Sequence, residues 1–227
     1  MSSATLPTVA VLGTGTMGAP IAANLLSAGF PVSVWNRTRS KAQPLADDGA
    51  RLAHTPAGAA AAADILVTML PDGNAVSQTM ISTDGALARL APGVVWVQMG
   101  TIGLESSERL AELAGRRGLV FVDAPVLGCD SPAREGELVV LASGPATARP
   151  RVQPLFDAIG RRTLWLGPAG NGMRVKLAID NWFSRRVEAT AAALAVSRRY
   201  AQLRTRKSRP WADDRSVAAG DHSHRGR

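Results

Sequence analysis

The 227-residue chain reads as an α/β protein built on a doubly wound, mostly parallel sheet. Two patterns carry this prediction. Over the first 170 residues, apolar runs of strand length alternate with amphipathic or alanine-rich segments. Several of those runs are also apolar along nearly their whole length. A strand without polar alternation is buried on both faces, as in a sheet with helices packed on either side.

In chain order, "TVAVLG" (8–13), "VSVWN" (32–36), "DILVTML" (64–70), "VVWVQM" (94–99), "LVFVD" (119–123), "LVVLA" (138–142) and "TLWLG" (163–167) have strand length and β-branched enrichment. "MGAPIAANLLSAG" reads as a helix that closes on Gly29, and "GLESSERLAELAGRRG" as a second helix. After the break at Gly167–Gly172, the length and alanine content of "NGMRVKLAIDNWFSRRVEATAAALAV" predict a long helix up to Val196. Apolar periodicity then stops, and residues 197–227 read as a disordered basic tail.

Composition narrows the function. Hydrophobic residues make up 46% of the chain, enough for a substantial core, while aromatics are only 4%. No apolar run reaches the ~20 residues of a membrane helix, and the N-terminus has no charged leader region, so no membrane partner is expected. The single cysteine, Cys129, cannot form an internal disulfide, which fits a cytoplasmic protein. The net charge of +8 is uneven: residues 197–227 hold nine of the 26 basic residues and three of the 18 acids. The body is close to neutral, and no nucleic-acid motif accompanies the tail, so nucleic acid is not an expected partner. His54, His222 and His224 offer no metal-ligand spacing, and no metal is expected.

The chemistry begins at "VAVLGTGTMGAP". Gly13, Gly15 and Gly18 stand in G-x-G-x-x-G spacing between a predicted strand and a helix. The first glycine permits the tight turn, the second the close approach of a diphosphate, and the third close helix–strand packing. The turn Gly13, Thr14, Gly15, Thr16, Met17, Gly18 is therefore the candidate phosphate cradle, with a helix N-terminus behind it. The second strand ends in Asn36, Arg37 and Thr38, where an acid would read a ribose 2′-hydroxyl. No acid occurs until Asp47, and an arginine suits a 2′-phosphate, so NADP is expected rather than NAD.

"GTGTMGAPIAANLLSAG", "VWNRT" and "VTMLPDG" occur in this order, followed by "DAPVLGCDSPAREGELVVLASG" (123–144) and "GPAGNGMRVKLAIDN" (167–181). With these motifs the chain resembles the β-hydroxyacid dehydrogenase family over residues 8–196. That family includes 3-hydroxyisobutyrate and 6-phosphogluconate dehydrogenases. The resemblance implies hydride transfer between NADP and a small hydroxyacid or carbonyl substrate, with Lys176 as general acid/base. A desolvated lysine beside a cationic nicotinamide can exchange the hydroxyl proton near working pH.

By the same resemblance, Met69, Leu70 and Pro71 line the adenine–ribose side, and Thr101 lies near nicotinamide and substrate. Leu127, Gly128 and Cys129 form the loop that receives the substrate carboxylate. Cys129 could also be read as a nucleophile, but no histidine neighbours it in sequence and hydride transfer needs none.

Two features depart from the family. Asp180 stands where the family usually has an asparagine that holds the substrate; a carboxylate can accept hydrogen bonds there but not donate them. After Val196 nothing can build the all-helical domain that the family places there, along with much of its homodimer interface. The abrupt change predicts an altered or frameshifted terminus. The expected organisation is an NADP-binding domain at 1–166, a lysine-bearing helix at 167–196 and the tail at 197–227. Two alternatives stand beside the dehydrogenase reading: a non-catalytic NADP-binding fragment or pseudoenzyme, and an imine-reductase-like enzyme, which "VWNRT" would suit as well.

Overall fold

The structure, a computed structural model, describes residues 6–207. All four residues of β1 (Val9–Leu12) are buried, and their side chains divide between two cores. Val9 and Val11 belong to the core that holds Ile21 and Leu25 of α1 (Gly18–Ser27). Ala10 and Leu12 belong to the other, with Val76, Trp96 and Leu110. A strand loaded on both faces accounts for the unbroken apolar run in its sequence. Helix α1 ends as its sequence predicts: Gly29 takes φ +85°, and its N–H bonds back to the Leu26 carbonyl at 2.9 Å.

The chain then forms β2 (Val32–Trp35), α2 (Gln43–Asp47), β3 (Arg51–Leu52) and α3 (Pro56–Ala60), the last capped by the Thr55 side chain. It continues through β4 (Ile65–Thr68), α4 (Gly73–Ile81), β5 (Val95–Gln98), α5 (Leu104–Arg116) and β6 (Val120–Asp123). Asp72 caps α4 by accepting the Ala75 N–H at 2.8 Å.

These six strands pair in parallel in the order β3-β2-β1-β4-β5-β6. The chain works outward from β1 to β3, then returns to the other side of β1 with β4. Connections leaving β1 and β4 therefore diverge to opposite faces, opening a crevice at the carboxyl ends of those strands.

A second, three-stranded sheet follows: β7 (Val126–Leu127), α6 (Asp130–Arg134), β8 (Leu138–Ala142), α7 (Arg149–Ile159) and β9 (Gly160–Trp165), in the order β7-β8-β9. All seven strands predicted from sequence are present, but the last two build this smaller sheet rather than extending the large one. The reason is local. Asp123 and Ser143 exchange backbone hydrogen bonds at 2.9 and 2.7 Å, and the main-sheet pairing then stops at Pro125, which has no N–H. Strands β3 and β7 are two residues each, too short to leave a periodic signal.

Helix α8 spans Asn171–Lys207, eleven residues beyond the end its apolar periodicity predicts. Residues 197–207 are rich in Arg, Ala, Leu, Gln and Lys, which favour helix whether or not they are buried. Burial ends well before the apolar periodicity does: residues 181–200 are exposed while the helix continues. The remainder of the expected disordered tail, 208–227, with His222 and His224, lies outside the described residues.

The chain divides into two compact units, Met1–Asp180 and Asn181–Arg227. In the second, Arg185 and Arg186 are exposed. Arg185 Nε donates to Asn181 Oδ1 at 3.0 Å, and the Arg186 guanidinium lies 4.9 Å from the Trp182 ring centroid. Among the described residues no helix is long and apolar enough to cross a membrane.

Candidate active site

The glycine turn after β1 is shaped by steric demands that no other residue meets. Gly13 takes φ +99°, and a Cβ there would strike the Met69 carbonyl. A Cβ on Gly18 would strike the Gly13 carbonyl, so α1 can pack this close to β1 only with glycine. Gly15 differs: a Cβ there would meet nothing within 4 Å, because the residue faces the open crevice. Helix α1 has no side-chain cap and no acid in its first turn, so its positive end is left for an anion. Thr14 is buried. Its N–H bonds to Asn36 Oδ1 at 3.0 Å, and the Asn36 amide donates to the Thr38 carbonyl at 2.9 Å. Asn36 thus ties the glycine turn to the loop after β2.

Two clefts meet at this turn. The larger, about 580 Å³, is lined by Gly13 and Gly15, by Asn36, Arg37, Thr38 and Lys41, and by Met69, Leu70 and Pro71. It holds two cationic side chains, and none of its lining residues is acidic. The smaller, about 390 Å³, is lined by Gly15, Thr16, Met17, Gly18, Met69, Leu70 and Pro71 together with Thr101, Gly128 and Lys176. A buried network holds the loops between them. Trp96 Nε1 donates to Thr68 Oγ1 at 2.9 Å, Thr68 bonds to Gln98, and the Gln98 amide donates to the Gly100 carbonyl at 2.9 Å.

Lys176 projects from the first turns of α8, with a side chain only 15% exposed. Its Nζ donates to Asp180 Oδ1 at 2.9 Å, one helical turn on. The start of this helix rests on buried groups from β6 and the end of β8. Met173 N–H donates to Asp123 Oδ2 at 2.7 Å, and Gly172 N–H donates to Ser143 Oγ at 2.9 Å. A Cβ on Gly172 would strike the Leu141 carbonyl, and Gly170 takes φ +93°. Burial pushes the Asp123 carboxyl up to about 6, against the lowering effect of the Met173 N–H and the Ser143 hydroxyl.

The structure therefore gathers Gly15, Thr16, Met17, Gly18, Thr101, Gly128 and Lys176 around one cleft, and Asn36, Arg37 and Thr38 around the other. Leu127 and Cys129 do not line either cleft, although Cys129 is exposed, and Asp180 reaches the site through its ion pair with Lys176. Sequence reasoning missed Lys41, Asp123 and Ser143. Lys41 had a signal, since it follows Arg37 at i+4. Asp123 had a fainter one, as the lone acid closing an apolar strand. Among the described residues no three His, Cys, Asp or Glu side chains cluster as metal ligands would.

A parallel sheet in this strand order, with a glycine turn and an uncapped helix at its switch point, defines a dinucleotide-binding protein. Residues 8–167 match the family described as the NAD binding domain of 6-phosphogluconate dehydrogenase. The chain belongs to this family.

Two relatives are the uncharacterized oxidoreductase YfjR of Bacillus subtilis and glyoxylate/succinic semialdehyde reductase 1 of Arabidopsis thaliana. The first is 36% identical over 193 residues, covering 85% of this chain and 68% of that protein. The second is 33% identical over 189 residues, covering 83% and 65%. Among solved structures, the Mycobacterium tuberculosis 3-hydroxyisobutyrate dehydrogenase with L-serine superposes with TM-score 0.80 at 28% identity, covering 86% of this chain and 66% of that one. An imine reductase of Myxococcus stipitatus in complex with NADP+ gives 0.79 at 26%, covering 85% and 66%. The chain spans 65–68% of the length of these proteins.

The residues present fit a dinucleotide. Gly15 leaves open space where a diphosphate would lie, and the α1 N-terminus behind it carries no competing acid.

Proposed function

We propose that this chain is an NADP-preferring oxidoreductase of small β-hydroxyacids or the corresponding carbonyl acids, with Lys176 as general acid/base. One observation carries the proposal: Lys176, mostly withdrawn from water, lines the same cleft as the glycine turn, Thr101 and Gly128. In this reading residues 1–166 hold the cofactor and 167–196 carry the lysine, in a cytoplasmic protein.

When bound, the nicotinamide supplies or accepts a hydride at the substrate carbon. The glycine turn and the α1 N-terminus receive the diphosphate, with Met69, Leu70 and Pro71 flanking the adenosine side. Arg37 and Lys41 receive the 2′-phosphate as charge-assisted donors. Lys176 Nζ gives a proton to the carbonyl oxygen in reduction and takes it back in oxidation. Thr101 and Gly128 stand across the cleft, where a hydroxyl and a backbone N–H can orient the acid.

Asp180 favours a second reading, that of a non-catalytic NADP binder, because its carboxylate occupies the ammonium that a substrate acid would meet. The likeness to an imine reductase extends the substrates to be screened to imines.

Fluorescence titration with NADPH and NADH tests the cofactor assignment. The native chain should prefer NADPH. Arg37→Ala and Lys41→Ala should each lower NADPH affinity about tenfold and leave NADH affinity within about twofold. Equal affinity for both cofactors in the native chain rejects NADP preference.

A further inference from the structure

Helix α8 is held at its start by side chains that belong to other elements. Asp123 closes β6, and Ser143 follows the end of β8. Both are fully buried. Asp123 Oδ2 accepts the Met173 N–H at 2.7 Å, and Ser143 Oγ accepts the Gly172 N–H at 2.9 Å. The first N–H groups of a helix have no partner within it, and here they are answered from 29 and 50 residues upstream. Gly172 makes this possible, since any side chain there would strike the Leu141 carbonyl and come within 3.0 Å of the Asp123 carbonyl. Lys176 lies one turn beyond these bonds.

We infer that Asp123 and Ser143 are positioning residues: they cap α8 from outside the helix and thereby fix the direction in which Lys176 enters the cleft. The inference rests on the reading of Lys176 as the acid/base but not on its proof. A buried carboxylate is an expensive way to answer one N–H, which an alcohol or amide could satisfy at less desolvation cost. What it adds is a charge set against the positive end of the helix, so that a small axial shift of α8 weakens both the hydrogen bond and the charge–dipole attraction. Asp123 Oδ1 has no hydrogen-bond partner among the described residues, while Oδ2 accepts both the Met173 N–H and, at 3.4 Å, the Ser143 hydroxyl, so the two capping side chains are linked to each other as well as to the helix.

The test uses the full chain and a chemical count of its lysines, of which there are three: Lys41, Lys176 and Lys207. A brief acetic anhydride pulse, read by peptide mass spectrometry, gives the reactivity of Lys176 relative to Lys41. Hydrogen exchange reads the amides of 172–176, and NADPH titration reads the glycine turn. Asp123→Ala should change the Lys176 to Lys41 ratio at least about threefold and speed exchange at 172–176 about tenfold. NADPH affinity and exchange in α1 should stay within about twofold, which a general loosening of the fold would not allow.

Asp123→Asn, which keeps an acceptor oxygen but not the charge, should restore both readouts in part, falling between the native chain and Asp123→Ala. Ser143→Ala should move them the same way by a smaller factor, and it carries the test if Asp123→Ala fails to fold. Unchanged lysine reactivity and exchange in the variant that folds overturns the inference, as does an Asn variant that behaves like Ala. Turnover of Lys176→Ala is scored separately. If it equals the native chain, the acid/base reading falls while the capping result stands.

Discussion

Between Gly13 and Gly18 the backbone is shaped by the turn itself and one neighbouring loop: a positive φ, the Gly13 carbonyl against Gly18, and the Met69 carbonyl against Gly13. The stretch that carries Lys176 is held instead by a carboxylate and a hydroxyl from distant strands. Both border the same cleft. The comparison separates two jobs. The glycine turn makes room, for a neighbouring carbonyl or for a phosphate, and does so with absent side chains. In the proposed reading the lysine wall aims a charged group, and the groups that hold it are buried polar ones.

The sharpest way to break this division is at Gly18. Gly18→Ala places a methyl against the Gly13 carbonyl, where neither side is flexible. Overpacking of this kind costs about 1–3 kcal/mol. NADPH affinity should fall with it by about two orders of magnitude or more, since the turn itself is displaced. Denaturant unfolding and the titration together check both effects.

On the other wall the prediction concerns pH. Burial raises Asp123 from 3.8 to about 6, so the folded chain holds this proton more tightly than the unfolded one. Its stabilising contribution is complete below the unfolded value and is lost as pH rises through about 6. Asp123→Asn does not titrate, so it should gain on the native chain between about pH 4 and pH 7, by about 1–3 kcal/mol. Parallel unfolding curves across that range measure the gain. A constant difference would place the Asp123 charge outside the energetics of the lysine wall.

A smaller effect sharpens the glycine side. Gly15→Ala meets open space, so stability should change by no more than about 0.5 kcal/mol while NADPH affinity drops about tenfold. Loss of stability here would mean that Gly15 serves the fold as well as the ligand.

The same contrast explains what the sequence made legible. Strand–turn–helix signals are local, and they placed β1, the glycine turn and α1 with its Gly29 stop. Arg37 was readable as a lining residue of the larger cleft because it lies at a fixed place just after β2. Strands β8 and β9 were visible as strands, but their membership of a separate sheet was not. That outcome depends on Pro125 lacking an N–H and on the Asp123–Ser143 bridge, which joins residues 20 apart. Asp123 and Ser143 carried no motif of their own as helix caps, because their partners are backbone N–H groups that any residue supplies. The stretch from Gly170 to Lys176, by contrast, had a steric cause that folding revealed: Gly170 needs a positive φ, and Gly172 touches a strand.

The most direct test of the account sets rate against affinity in Lys176→Ala. NADPH affinity is measured by fluorescence, and turnover is measured by NADPH absorbance with glyoxylate and succinic semialdehyde, in the native chain and in Asp180→Asn alongside. If the two walls hold separate jobs, Lys176→Ala keeps NADPH affinity within about twofold and loses turnover by at least about a hundredfold. A Lys176→Ala chain that turns over as fast as the native one contradicts the account. So does a chain that binds NADPH yet reduces neither acid, with Asp180 or with asparagine in its place.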